Sequence, residues 1–105
     1  MPFPIAASLL DACVLAILSR GETYGYVLTQ NLKSMIDVSE STLYPVLRRL
    51  QSGGLLQADD RPFGGRNRRY YAITGPGMQA LAAYIGEWNA YKTSIDQILS
   101  GGNAS

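Results

Sequence analysis

Apolar positions recur along most of the chain at helical spacing, and they divide it into segments. Leu9, Leu10, Val14, Leu15, Ile17 and Leu18 cover nearly the whole circumference of a first helix. A helix apolar all round is expected between other elements, not on the surface. Ser8 followed three residues later by Asp11 resembles a capping box at its start, and Gly21 stands where a C-terminal glycine belongs. Thr23 is then expected to cap a second helix, from about Tyr24 to Ile36, with Tyr24, Leu28, Leu32 and Met35 on one face. After a turn at Asp37-Val38, Ser39 or Ser41 caps a third helix with the stripe Leu43, Val46, Leu47 and Leu50. Its opposite face carries Ser41, Pro45, Arg48 and Ser52, flanked by Thr42 and Arg49 on one side and Tyr44 on the other. Pro45 predicts an irregular first turn, and Gly53-Gly54 ends the segment.

The period then changes. Leu55 to Arg61 and Arg68 to Ile73 read as two short strands, joined by the turn-rich loop Pro62-Phe63-Gly64-Gly65-Arg66-Asn67 into a β-hairpin. Thr74 caps a final helix opened by Gly75, Pro76 and Gly77. Three helices, a hairpin and a helix, with only a short turn between the second and third, follow the order of a winged helix-turn-helix. The predicted class is mainly α with a small β-hairpin (α+β). Residues 1–75 form the winged head, 76–100 a long C-terminal helix and 101–105 a disordered tail.

The last helix predicts the quaternary state. Gly77 to Leu99 spans about 35 Å at 1.5 Å per residue. Met78, Leu81, Ile85, Trp88, Lys92, Ile95 and Leu99 step alternately by three and four, a heptad seam, beside a second row of Tyr84, Tyr91 and Ile98. The head cannot cover so long a stripe, and soluble monomers avoid large exposed apolar patches. A two-fold homodimer built on Met78, Leu81, Ile85, Trp88, Ile95 and Leu99, with help from the first helix, covers it. Lys92 would fix register or leave a local gap. The alternative is a stripe that packs back on its own domain.

Composition narrows the chemistry. Of 105 residues 47% are hydrophobic and 16% charged, a folded chain's balance. There is no histidine and one cysteine, Cys13, which removes histidine-based catalysis, His/Cys zinc sites and an internal disulfide framework. No cofactor or metal is expected, and Cys13 in its apolar helix reads as inert packing. The longest apolar run, Ala12–Leu18, is seven residues, against about 20 for a membrane-spanning helix. Met-Pro-Phe-Pro carries no basic charge, so no secretory signal is expected. A cytoplasmic protein without membrane partners fits.

Net charge is only +1, yet its distribution is uneven. Residues 1–47 sum to −2, residues 48–71 to +4 and residues 72–105 to −1. Six of the nine basic residues, all arginine, lie in the middle window. The arginine fork suits phosphate oxygens and guanine edges, which makes double-stranded DNA the expected partner. One basic element then fits a major groove while the other reaches the backbone or minor groove.

Ser41, Thr42 and Tyr44 are placed to contact phosphates or base edges, the first two also as caps. Arg48 and Arg49 flank the recognition face, with at least one phosphate contact expected between them. Arg66, Arg68 and Arg69 follow Gly64-Gly65, whose lack of side chains lets the backbone approach DNA. Tyr24 is either a phosphate-binding hydroxyl or a core ring. Tyr70 and Tyr71 are expected to pack the wing on the body, and Trp88 reads as interface packing, ligand stacking or both. A protein-docking module is the competing class, marked by a recognition face without the arginines found here. An enzyme using Asp59 and Asp60 is excluded because adjacent strand residues point to opposite faces.

Tyr24-Gly25-Tyr26, Ser41-Thr42-Leu43-Tyr44-Pro45-Val46-Leu47-Arg48-Arg49-Leu50, Gly53-Gly54-Leu55-Leu56, Gly64-Gly65-Arg66, Arg69-Tyr70-Tyr71 and Ile73-Thr74 occur in that order. In this order and spacing they make the chain, from about Leu10 to Leu99, resemble the short subfamily of the PadR family of bacterial transcriptional regulators. The resemblance implies a dimeric winged-helix repressor, often of efflux or detoxification genes and sometimes of its own gene. It further implies, as in some members, an aromatic or cationic effector in a pore at the dimer interface, stacked on a tryptophan whose position Trp88 matches. Asp59-Asp60 followed by Pro62 departs from the family pattern and is expected to alter the wing.

Overall fold

The computed structural model describes residues 6–101; the Met-Pro-Phe-Pro start and the expected tail beyond Gly101 lie outside them. Four helices and three strands follow one another as α1 (Ala7–Leu18), β1 (Thr23–Tyr24), α2 (Gly25–Met35), α3 (Glu40–Ser52), β2 (Leu56–Phe63), β3 (Arg66–Ile73) and α4 (Gly75–Leu99). The three helices α1–α3 close around one leucine-rich core. Leu10, Val14, Leu15 and Leu18 of α1 meet Leu28 and Leu32 of α2, while α3 contributes the whole stripe Leu43, Val46, Leu47 and Leu50. Each such side chain stabilises the fold by about 1.5–3 kcal/mol on burial. Met35, expected on the core face of α2, is exposed instead, and Thr29 takes the buried place.

Helix starts differ from expectation in two places. No Ser8–Asp11 capping box forms: Ala6 is the N-cap, without a side-chain cap, because Asp11 is drawn inward to partners on α3 and α4. Thr23 does not cap α2 either. It pairs with Tyr71, and Tyr24 with Tyr70, adding a third antiparallel strand in the order β1-β3-β2. A two-residue strand carries no periodic signal, so hairpin reasoning alone missed it. For α3 the cap is Ser39, whose Oγ accepts the Thr42 amide at 3.3 Å. The helix continues through Pro45, which lies in its second turn.

The hairpin is longer and its turn tighter than predicted. Strand pairing runs from Leu56↔Ile73 to Phe63↔Arg66, leaving only Gly64-Gly65 at the tip. Both have positive φ, +58° and +84°, as a two-residue turn matched to strand twist requires. Pro62 falls inside β2, tolerated because β2 is an edge strand.

One junction sets the direction of α4. At the end of α3 the Leu55 amide bonds the Leu50 carbonyl and the Gly54 amide bonds that of Gln51, a Schellman ending with Gly54 at φ +79°. Thr74 clamps this turn, its amide donating to the Leu55 carbonyl and its hydroxyl to that of Gly54 at 2.7 Å. The same hydroxyl accepts the Gly77 amide at 3.0 Å and so caps α4 as predicted. Gly77 is buried against the turn, where a Cβ would strike the Leu55 carbonyl and come within 2.7 Å of Ile73 Cγ1. Beyond it only Leu81 of α4 is buried, in its own subunit's core. Among the described residues no helix is long and apolar enough to cross a membrane.

Gly77→Ala is therefore expected to lower stability by about 1–3 kcal/mol through overpacking, read as a lower urea midpoint. Gly86→Ala, which opens onto free space, is expected to leave the midpoint within about 1 kcal/mol of wild type or raise it.

Candidate nucleic-acid interface

The exposed side of α3 and the adjoining sheet edge form one surface. Ser41, Thr42, Tyr44 and Arg48 are all exposed along α3. The Ser41 and Thr42 hydroxyls each lie 3.0 Å from Ser39 Oγ, so the cap gathers three hydroxyls at the helix start. The first turn of α2 begins at Tyr24 with no side-chain cap. Its leading amides are thus left for an outside acceptor, and the positive end of the helix dipole favours an anion. A cleft of about 310 Å³ lies here, lined by Tyr24, Gly25, Tyr26, Tyr44, Arg68, Arg69 and Tyr71. Recognition helix, helix start and wing thus meet in one tyrosine- and arginine-lined hollow. Gly25 fits because a Cβ would press on the Tyr71 ring at 3.3 Å. Tyr71 itself is buried, and that burial raises its phenol above the usual range.

Strand alternation sorts the wing. One face carries Asp59, Arg61, Phe63, Arg66, Arg68 and Tyr70, with Tyr24 beside Tyr70. The Tyr24 ring lies 5.7 Å from Phe63 and 5.3 Å from Tyr70, so it is a packed ring of the wing while still lining the cleft. The Arg68 guanidinium stacks on Tyr24 and Phe63 at 5.2 and 4.9 Å, a geometry that holds a cation without neutralising it. Directly across the strands, Arg61 lies over Tyr70 and donates to both oxygens of Glu22 and to Asp59. These bonds hold the Glu22 carboxyl below its usual range and raise the Arg61 guanidinium. Neither Arg61, Glu22 nor Phe63 was singled out from sequence; the alternation of charges and rings over residues 59–63 was the available signal.

The expected arginines divide into two groups. Arg49, expected to flank the DNA-facing side, is ion-paired through Nη2 with Asp11, whose side chain is 10% exposed, while its own side chain stays 51% exposed. Arg69 donates to Asp60 at 3.2 Å in an exposed pair, which also raises its own guanidinium. Among the described residues no carboxylate pairs with Arg48, Arg66 or Arg68.

The seam of α4 is also divided. Leu81 is buried in its own core and Ile95 is half-buried, whereas Met78, Ile85, Trp88 and Leu99 are exposed. In the second row Tyr84 is half-buried while Tyr91 and Ile98 are exposed. The first turns of α4 thus pack back on the head and the remainder does not. A second, larger hollow of about 430 Å³ lies between α1 and α4, lined by Ala6, Ser8, Leu9, Ala12, Tyr84, Glu87, Trp88 and Tyr91. Cys13 is half-buried and its thiol is raised by burial, the state of an unreactive packing residue.

Residues 14–83 match the model of the transcriptional regulator PadR-like family. The chain belongs to that family. It is 32% identical over 98 residues to an uncharacterised protein of Lysinibacillus sphaericus, covering 88% of this chain and 89% of the other. It is 46% identical over 61 residues, 57% of each chain, to the transcriptional regulator Rv3488 of Mycobacterium tuberculosis. Among solved structures, smu.1704 of Streptococcus mutans superposes with a TM-score of 0.88 at 37% identity, covering 100% of this chain and 99% of that one. A PadR-like transcriptional regulator of Bacillus cereus superposes at 0.79 with 33% identity, covering 89% and 93%. The winged-helix architecture of this PadR-like protein is thus shared over nearly its full length.

Asp60 of the acidic pair in the wing holds back Arg69. Asp60→Asn is expected to free Arg69 and strengthen binding to any duplex, with a steeper salt dependence by about one phosphate contact. Fluorescence anisotropy against salt concentration measures both.

Proposed function

We propose that this PadR-like protein is a dimeric, sequence-specific DNA-binding regulator. In this reading it represses efflux, detoxification or stress genes in the cytoplasm, and a small aromatic or cationic effector at the dimer interface relieves repression. The observation that carries the DNA reading is the convergence of α3, the open start of α2 and the wing on one cleft lined by Arg68, which with Arg48 and Arg66 has no carboxylate partner among the described residues. Such a face argues against a docking module that never meets nucleic acid. Within it, Ser41, Thr42, Tyr44 and Arg48 of α3 address the major groove, while Tyr24, Arg66, Arg68 and Arg69 take the backbone. Phosphate contacts position the head and base-edge contacts supply specificity.

The dimer reading is supported by Met78, Ile85, Trp88, Tyr91, Ile98 and Leu99, which leave an apolar row exposed on α4. A second copy covers that row. Two heads about 34 Å apart then read a palindromic operator, with the modest affinity of each combined. Trp88, 39% exposed and 6.5 Å from the Tyr91 ring, offers a stacking surface to the effector. An effector acts by favouring one arrangement of the DNA-facing elements over another.

Duplex DNA from the promoter upstream of the protein's own gene is expected to shift in a gel retardation assay. Log K is expected to fall linearly with log salt, and Arg66→Ala to make that slope shallower by about 0.9. An unchanged slope and affinity in Arg66→Ala would remove the wing tip from the interface. Sedimentation equilibrium at micromolar concentration is expected to give twice the 11.4 kDa monomer mass; a lone monomer would sink the paired-head arrangement.

A further inference from the structure

Asp11 is the one buried carboxylate among the described residues, and it takes no part in the DNA-facing surface. It sits on α1, but its two oxygens are held by two other helices. Oδ1 accepts from Arg49 Nη2, near the end of recognition helix α3. Oδ2 accepts from the Tyr84 hydroxyl of α4 at 3.3 Å. Burial and the Asp11 charge raise the Tyr84 phenol, so it stays protonated and donating through neutral pH. Tyr84 also walls the 430 Å³ hollow between α1 and α4, together with Leu9, Ala12, Trp88 and Tyr91. One end of the triad therefore faces a ligand-sized cavity and the other is fixed to the helix that addresses DNA.

We propose that Asp11 couples occupancy of the α1–α4 hollow to the placement of α3, with Tyr84 as the sensor and Arg49 as the lever. The proposal rests on the reading of function given above. A guest that stacks against Trp88 and displaces the Tyr84 ring withdraws a donor from Oδ2. A buried carboxylate left short of a donor is strongly disfavoured. The strain is relieved by moving Asp11, and Arg49 moves with it because its guanidinium is the remaining partner of that charge. Arg49 lies on the last turn of α3, whose end is pinned by the Gly54 turn and by Thr74. A pull there pivots the helix and carries Tyr44 and Arg48 with it. By linkage the effect is reciprocal, so DNA that fixes α3 alters the affinity of the hollow for its guest.

The test uses the full chain, a duplex from its own promoter, and benzyltrimethylammonium as an aromatic cation matched to the Tyr84, Trp88 and Tyr91 rings and the Glu87 carboxylate lining the hollow. For each variant the quantity read is the ratio of duplex affinity at saturating probe to duplex affinity without it, so altered probe affinity drops out. Wild type is expected to give a ratio at least about fivefold from unity, and Tyr84→Phe and Asp11→Asn within about twofold of unity. Ser94→Ala, which removes an exposed hydroxyl of α4 that lines neither hollow, is expected to keep the wild-type ratio. Tyr84→Phe decides alone should Asp11→Asn fail to fold. Tyr84→Phe with the wild-type ratio overturns the coupling, as does a wild-type ratio of one while both probe and duplex bind. Either result leaves DNA binding intact. Absence of Trp88 quenching by the probe overturns the hollow as the sensing site. Absence of duplex binding by wild type overturns the functional reading itself, and the coupling with it.

Discussion

A 25-residue helix leaves a head too small to cover it, and the rest of the molecule is arranged around that mismatch. The Cα radius of gyration is 16.0 Å, against about 13 Å for a compact chain of this length. The excess comes from a rod launched at one junction. Thr74 ties the end of α3 to the start of α4, and Gly77 lets the two backbones close to a distance no side chain would permit. Because the junction is hydrogen-bonded on both sides, the direction of the rod is coupled to that of α3. A change in how two rods pack is thereby a change in how two recognition helices are presented.

Arginine is distributed by the same economy. Arg49 is set against buried Asp11, Arg61 locks the wing to the loop before β1 through Glu22, and Arg69 is paired with Asp60. Arg48, Arg66 and Arg68 keep their charge available, and Arg68 is held in place by rings instead of carboxylates. Orientation without neutralisation is what a phosphate-binding side chain requires, since a carboxylate partner would have to be displaced first. A net charge of +1 is therefore compatible with a basic face: half of the cluster is consumed inside the fold.

How far the sequence disclosed this follows from the range of the interactions. The stripe of α3, the Thr74 cap and the Gly53-Gly54 ending are local, and each was legible in a window of a few residues. The hairpin was legible but its tip was not, since Pro62 and Asn67 look like loop residues until the Gly64-Gly65 turn is seen to suffice. β1 was hidden because two residues show no period. The ion pair of Arg49 was hidden for a different reason. Its partner is 38 positions away, and nothing in the neighbourhood of Asp11 distinguishes a capping carboxylate from a buried one. Leu81 reads as an interface residue because it shares its heptad position with exposed Trp88, seven residues on; only the height of the head along α4 separates them.

Why a head of this kind needs a twin can be argued from its size. A single DNA-binding module buries about 600–1,000 Å² of protein surface, and most of its affinity is electrostatic and indifferent to sequence. Three available arginines, a few hydroxyls and one helix start make a small set of phosphate contacts, and α3 offers few side chains to base edges. In the proposed dimer, specific binding at physiological salt comes from joining two such heads, so that the second engages at a high effective concentration once the first is seated. Affinity becomes a function of the separation between heads, which the rods determine and which the Thr74–Gly77 junction passes on without slack. The exposed apolar row on α4 and the sparse cationic face on α3 are in this view two consequences of one arrangement. A larger basic face would bind DNA without a twin and would lose the dependence on spacing that the proposed regulation requires.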